Sequence, residues 1–239
     1  MKFNMKRSPL TPSVISIALR VSIGLVMLDS IIEISFASST TSWLRSTASH
    51  KIFQFIAYGS RHPLSGLPRN LVANQIDMTN AAATTAFLVA GSWGFLSLWL
   101  RNLTQYRTST FAKINSYNYY LWVSCNFAAL LLTVAALAYV FGITDALAGQ
   151  RIEKSFAVDL NGSTYYKSTW TPQSWFAAVL RLNLIVDRED ITKHLNIMRV
   201  WQYNLISMFF FQLIETTLAY LDYNRWIHKP KVPEACSRF

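Results

Sequence analysis

The sequence predicts an all-α, polytopic membrane protein with four transmembrane helices and short amphipathic helices in the outer loops. Three observations predict it. Of the 239 residues, 52% are hydrophobic and 14% charged, and mean hydropathy is +0.23, a balance unusual for a soluble domain. Four stretches reach the roughly 20 mostly apolar residues that a helix needs to cross a bilayer. The lysines and arginines crowd into the short connections on one side of those stretches, as cytoplasmic loops do.

The spans are expected at 13–37, 80–100, 118–142 and 203–223, within a single domain covering 1–239, with outer loops at 38–79 and 143–202. The second and third are uninterrupted by charge. The fourth contains Gln212 and Glu215, and the first carries Arg20, Asp29 and Glu33. On an insertion scale, about 14 strongly apolar residues at roughly −0.5 kcal/mol each only just offset three charges at roughly +2 to +3.5 kcal/mol, so the first span needs its neighbours. A cleaved signal peptide competes for the N-terminus, because Lys2, Lys6 and Arg7 precede the apolar run and small residues follow at 37–39. Charges inside the run argue against it, since a signal core is 7 to 15 unbroken apolar residues.

With the N-terminus inside, the segments 1–12, 101–117 and 224–239 hold ten Lys or Arg in 45 residues, against eleven in the 102 residues of the outer loops. Both termini are therefore expected in the cytoplasm, in an endomembrane or plasma membrane. Asn161-Gly162-Ser163 then becomes an N-glycosylation acceptor on the outer side, while the sequon at Asn102 should be silent at a cytoplasmic edge.

The composition also excludes classes of function. The net charge of +10 forms no basic stripe, which removes nucleic acid as a partner. Cys125 and Cys236 are too far apart in any layout for a disulfide framework, and the four histidines have no ligand spacing, so no metal is expected. No cofactor is expected either: phosphate loop, dinucleotide fingerprint, HExxH and nucleophile elbow are all missing. Cys236, 13 residues past Tyr223, is either a palmitoylation site or an ordinary cytoplasmic thiol.

Small residues recur at Ala82, Ala86, Ala90 and Gly94, a ladder on one helical face that suits close helix packing in lipid. Measured from the cytoplasmic edge, Arg20, Asn126 and Glu215 fall at depths of about 10 to 12 Å. They are expected to form one structural polar layer with an Arg20 to Glu215 ion pair, since intramembrane charges pair with one another. Asp29 comes out at about 24 Å, level with Thr84, Thr85 and Thr133, with Glu33 one turn further on the same face. Arg20 points about 180 degrees away from Asp29, so this acid pair has no basic partner in a span.

In the outer loops, Thr171-Pro172 reads as a capped helix start followed by Trp175, Phe176, Val179 and Leu180 on one face. That helix should lie on the membrane or cap the bundle. The acids of Asp187-Arg188-Glu189-Asp190 suit the positive end of a second helix, whose apolar face at Ile191, Leu195, Met198 and Leu205 leads straight into the fourth span. Trp201, Tyr203, Tyr119, Tyr120 and Trp122 fall where interfacial aromatics belong.

The stretch Thr169-Trp170-Thr171-Pro172-Gln173-Ser174-Trp175-Phe176-Ala177-Ala178-Val179-Leu180, with Met198-Arg199-Val200-Trp201-Gln202-Tyr203-Asn204-Leu205-Ile206, resembles the outer-loop pattern of small fungal integral membrane proteins of uncharacterised function. The resemblance covers about a sixth of the chain; it implies a fungal endomembrane or plasma-membrane protein and carries no catalytic residues. A looser similarity is to membrane-bound terpene cyclases of fungal secondary metabolism, which use acids in their spans to protonate an epoxide or olefin. They have seven spans, and the apolar runs at 52–58 and 175–186 are too short to supply the difference. Tetraspanins and claudins also have four spans, but their outer-loop cysteines have no counterpart here.

Two functions stay open at this stage. One is an accessory or scaffold component of a membrane process, whose outer loop 143–202 meets a membrane-protein partner and whose acids are helix glue. The other is a membrane-embedded cyclase or isomerase acting on a lipophilic, isoprenoid-like small molecule, with Asp29 as proton donor and Glu33 or Glu215 assisting.

Overall fold

The computed structural model describes residues 12–104 and 110–227. Helix α1 (Pro12–Ser46) buries Ile15, Leu19, Ile23, Val26, Ser30, Glu33, Ala37, Thr40 and Leu44, a spacing of three and four that puts one stripe inside. The opposite face shows Ile17, Val21, Leu25, Leu28 and Ile32 to the surroundings. A stripe of bare aliphatic side chains over four turns is at home in hydrocarbon rather than water.

The second long helix has three parts: α2 (Asn74–Thr85), a π-helical segment (Ala86–Trp93) and α3 (Gly94–Thr104). Its small-residue ladder faces inward, with Ala82, Ala86 and Ala90 at 0% exposure. At Gly91 an added Cβ would collide with the Met27 side chain, and at Gly94 it would come within 2.9 Å of Trp122 Cζ2. Only glycine lets the π segment approach this closely. The wider coil disturbs the regular backbone ladder, and the Val89 carbonyl is met from the next helix by Trp122 Nε1 at 2.9 Å.

Helices α4 (Thr110–Ala146) and α7 (Arg188–Ile227) complete the bundle. Each long helix packs on two neighbours around a ring, α1 beside α2 and α7, and α4 beside α2 and α7. All four are long and apolar enough to cross a membrane. They outrun the expected spans: α7 has 40 residues, about 60 Å of helix against a hydrocarbon core of about 30 Å. The overrun is amphipathic, with Ile191, Leu195 and Met198 buried and polar residues between them, so hydropathy alone does not register it.

That overrun reaches a folded cap at the end of the bundle away from the termini. Its first piece is a β-hairpin absent from the all-α expectation, β1 (Ile52–Ala57) paired antiparallel with β2 (Ser60–Ser65). The two-residue loop Tyr58-Gly59 has positive φ at both positions (50° and 77°), the primed turn that matches strand twist. The outer edge of β1 is covered by the chain at 183–185, through Ile56 N to Asn183 O (2.9 Å) and Ile185 N to Gln54 O (3.0 Å). Helices α5 (Lys154–Asp159) and α6 (Pro172–Leu180) finish the cap.

Thr171 and Ser174 form a reciprocal capping box around Pro172, and α6 is buried on nearly every side. It therefore caps the bundle rather than lying on a lipid surface. Trp170, Trp175 and Tyr165 cluster with ring centroids 5.2 to 6.0 Å apart, and Trp175 Nε1 donates to the Gly66 carbonyl at 2.8 Å. Trp43, at the end of α1, packs on Phe176 at 4.8 Å, so cap and bundle share one core.

Three of the five aromatic residues expected at the interface turn into the bundle. Tyr119, Trp122 and Trp201 are fully buried, and only Tyr120 and Tyr203 are exposed. The reason is helical phase: the buried three share the inward face with Leu98, Ala219 and Leu205. The basic lead at 1–11 and Cys236 lie outside the described residues.

Candidate functional site

Asp29 and Glu33 sit one turn apart on the inward face of α1, 7% and 0% exposed. Glu33 is met from α7, where Asn204 Nδ2 donates to Glu33 Oε2 at 2.8 Å. Asp29 Oδ2, Ser30 Oγ and Glu33 Oε1 are buried with no hydrogen-bond partner in the protein. Three such atoms fall within five residues here, as do Gln212 Nε2, Glu215 Oε1 and Thr216 Oγ1 on α7, and each calls for a physical account.

The threonines expected beside Asp29 are not there. Thr84 is exposed and Thr85 half-buried, while Thr133 Oγ1 donates to Gln212 Oε1 at 2.6 Å. Depth along a helix does not say which way a side chain faces, and Thr84 faces outward. Asn204 lies at the outer end of the span expected at 203–223, and its carboxamide meets Glu33 because α7 turns that face toward α1.

Further along α7, Glu215 accepts from Asn126 Nδ2 of α4. Arg20 does not complete this layer: it is exposed on the outward face of α1, one position past the buried Leu19. The expected Arg20 to Glu215 ion pair is therefore absent, since helical phase turns the arginine away whatever its depth. An ion pair does form nearer the termini, between Arg101 of α3 and Asp222 of α7. Tyr119 OH donates to the same Asp222 oxygen at 2.7 Å, and the Arg101 guanidinium lies over the Tyr119 ring at 4.9 Å. Arg101 falls one residue outside the span expected at 80–100 and Asp222 one residue inside the end of the span at 203–223, so both sit at the edge of the expected bundle.

Glu215 and the Asp29–Glu33 pair are separate places. Eleven residues part Asn204 from Glu215, about 16 Å along α7. The three carboxyls do not converge on one reacting atom, which separates Glu215 from any chemistry at Asp29.

The cap has its own polar links. Lys51, just before β1, bridges Asp187 (2.8 Å) and Asp190 (3.5 Å) at the start of α7, and the Asp187 contact raises the lysine above its ordinary range. Gln75 of α2 donates to Gln173 of α6 and accepts from Thr144 of α4 at 3.3 Å, joining three elements under the cap. Asn161 is exposed in the turn after α5.

A pocket of about 190 Å3 between α1 and the start of α2 is almost wholly apolar. A cleft of about 350 Å3 lies between α4, α6 and α7, and an open groove of about 450 Å3 continues from it down α7 past Asn204. None of these three is lined by Asp29 or Glu33. Among the described residues, no three His, Cys, Asp or Glu side chains gather as a metal site. Comparison with protein-family models, curated proteins and solved structures finds no match for the chain.

Proposed function

We propose that the protein is a non-catalytic, multi-pass membrane component that holds a rigid cap against one face of the bilayer as a docking surface for a membrane partner. The observation that carries this reading is the way α7 is tied in. At successive levels it meets a carboxyl, amide or hydroxyl of another helix: Glu33 through Asn204, Thr133 through Gln212, Asn126 through Glu215, and Tyr119 and Arg101 through Asp222. Hydrophobic association contributes little between helices in lipid, and polar contacts of this kind fix which helix pairs with which and at what height. The same helix runs unbroken from Arg188 into the cap, so the clasps also set the cap's position.

Both termini lie in the cytoplasm on this reading, and the cap faces the lumen or the exterior, where Asn161 would accept a glycan. The likeness of the cap sequence to small fungal membrane proteins supports a fungal endomembrane or plasma-membrane setting.

A second reading keeps one specific observation in its favour. The unpartnered oxygens of Asp29, Ser30 and Glu33 could serve a lipophilic substrate, with Asp29 as acid. Asp29→Asn and Glu33→Gln, made singly, separate the two. The scaffold reading expects normal membrane levels and an unchanged lipid and metabolite profile of the host. A metabolite that accumulates or vanishes while the protein level holds would overturn it.

A further inference from the structure

We propose that the cleft between α4, α6 and α7 binds the headgroup of a zwitterionic glycerophospholipid of the ethanolamine type, with an acyl chain laid along α7. The inference rests on the bundle's crossing the bilayer.

The cleft joins two helix ends of opposite polarity. On one side are Gln173 and Ser174 in the first turn of α6, and on the other Thr144 and Asp145 in the last turn of α4. A helix start favours negative charge and a helix end positive charge. The side chains follow the same division. Arg181 and Arg199 line the cleft, and neither has a carboxylate partner among the described residues. Asp145 also lines it and likewise forms no ion pair among those residues. Two guanidinium groups suit a phosphodiester, and a carboxylate at the negative end of α4 suits an ammonium group.

An unsatisfied donor points to the same occupant. Gln173 is 5% exposed, and its Oε1 is taken by Gln75, yet its Nε2 has no partner. A buried amide nitrogen left open at the wall of a cleft is a ready donor to a phosphate oxygen. Gln150 Oε1, also without a partner, offers an acceptor to the ammonium.

The shape separates a lipid from a free phosphate. Arg199 and Tyr203 belong both to the cleft and to the groove below it, which runs past Val200 and Asn204 to Ser207. From Arg199 to Ser207 is about 12 Å toward the membrane interior, room for the first part of an acyl chain. Arginine at the membrane surface with Val200 and the Tyr203 ring beneath it is the arrangement that a phospholipid meets at an interface. It also places a lipid against Asn204, the residue that holds Glu33.

The test uses the whole protein in a neutral detergent. Binding of phosphatidylethanolamine, phosphatidylglycerol and sn-glycerol 3-phosphate is followed by native mass spectrometry and by thermal stabilisation. The proposal expects one tightly held phosphatidylethanolamine, no saturation by glycerol phosphate, and about a tenfold or greater loss of affinity in R181Q/R199Q. Ser207→Trp, which fills the groove at an exposed position, should weaken lipid binding as well. Asp145→Asn should abolish preference for phosphatidylethanolamine over phosphatidylglycerol. Arg69→Gln, an exposed cap arginine away from the cleft, serves as control and should change nothing. Unchanged affinity in R181Q/R199Q, an equal loss in the control, or glycerol phosphate binding as well as the lipid would each overturn the proposal.

Discussion

Replacing Asn204 with alanine should loosen α7 from α1 by an amount that the contact itself sets. Glu33 is at 0% exposure, one of its carboxyl oxygens is already without a partner, and the other has Asn204 Nδ2 at 2.8 Å. Removing the amide strands a second buried oxygen, for which soluble proteins pay about 1 to 3 kcal/mol. Within membranes, side-chain hydrogen bonds average about 0.6 kcal/mol and reach about 1.7, because the unfolded helices find other partners. The full burial of Glu33 places this contact in the upper part of that range, so the expected cost of Asn204→Ala is about 1 to 2 kcal/mol. Glu33→Gln keeps an acceptor for Asn204 and should cost less than about 0.5 kcal/mol. The assay is equilibrium unfolding in mixed micelles, followed by tryptophan fluorescence. The reasoning fails if Asn204→Ala is neutral while Glu33→Gln costs more than about 2 kcal/mol, since the carboxyl would then matter for something other than accepting this bond.

Other expectations concern the cap, the ion pair and the orientation. Trp175→Ala should cost about 3 to 5 kcal/mol, because a fully buried indole and its bond to Gly66 O are lost together, and the cap should become open to limited proteolysis. Arg101→Gln leaves Asp222 with Tyr119 but without its counter-charge; reduced yield of folded protein is expected, and Arg101→Gln with Asp222→Asn together should recover part of it. Lys51 has a raised folded-state pKa, so the bridge to Asp187 stabilises the cap fully below the unfolded lysine value of about 10.4 and is lost as pH climbs through the higher folded value. Cap stability should therefore be flat from neutral to mildly alkaline pH and fall beyond it, and Lys51→Met should remove that fall. A mobility shift on glycosidase treatment that disappears in Asn161→Gln would place the cap on the lumenal or outer side, and a cap accessible only from the cytoplasm would reverse the proposed orientation.

Much of the bundle was legible because its signals are dense. The apolar runs at 80–100 and 118–142 and the ladder from Ala82 to Gly94 need no tertiary information. The continuity of α7 was legible too, from acids at 187–190 and the apolar face that follows. The hairpin was not read, although its marks are present: Phe53, Phe55 and Ala57 alternate inward, and Tyr58-Gly59 supplies the turn. The run at 52–58 is too short for a span, and its period of two is the mark of a strand with one buried face.

The polar interior was harder for a geometric reason. Depth along a helix is one coordinate, and contact needs the angle around the axis as well. Arg20 has the depth of Glu215 and the wrong angle, whereas Asn204, at the outer end of the span at 203–223, is level with Glu33 and is joined to it only once the angle between α1 and α7 is known. The cleft at Arg181 and Arg199 could not be read at all, because it exists only once α6 is buried between α4 and α7.

The most direct test of the central claim converts the three buried carboxyls of α1 and α7 that form no ion pair to amides at once: Asp29→Asn, Glu33→Gln and Glu215→Gln in one chain. This chain replaces the wild type in the host and is scored for membrane level and for rescue of whatever defect deletion causes. If the acids are helix clasps, amides substitute for them, and the chain should reach the membrane and restore growth or metabolite pattern to the wild-type state. A chain that accumulates normally in the membrane yet rescues nothing would contradict the account, because protons rather than hydrogen-bond acceptors would then be what those carboxyls supply.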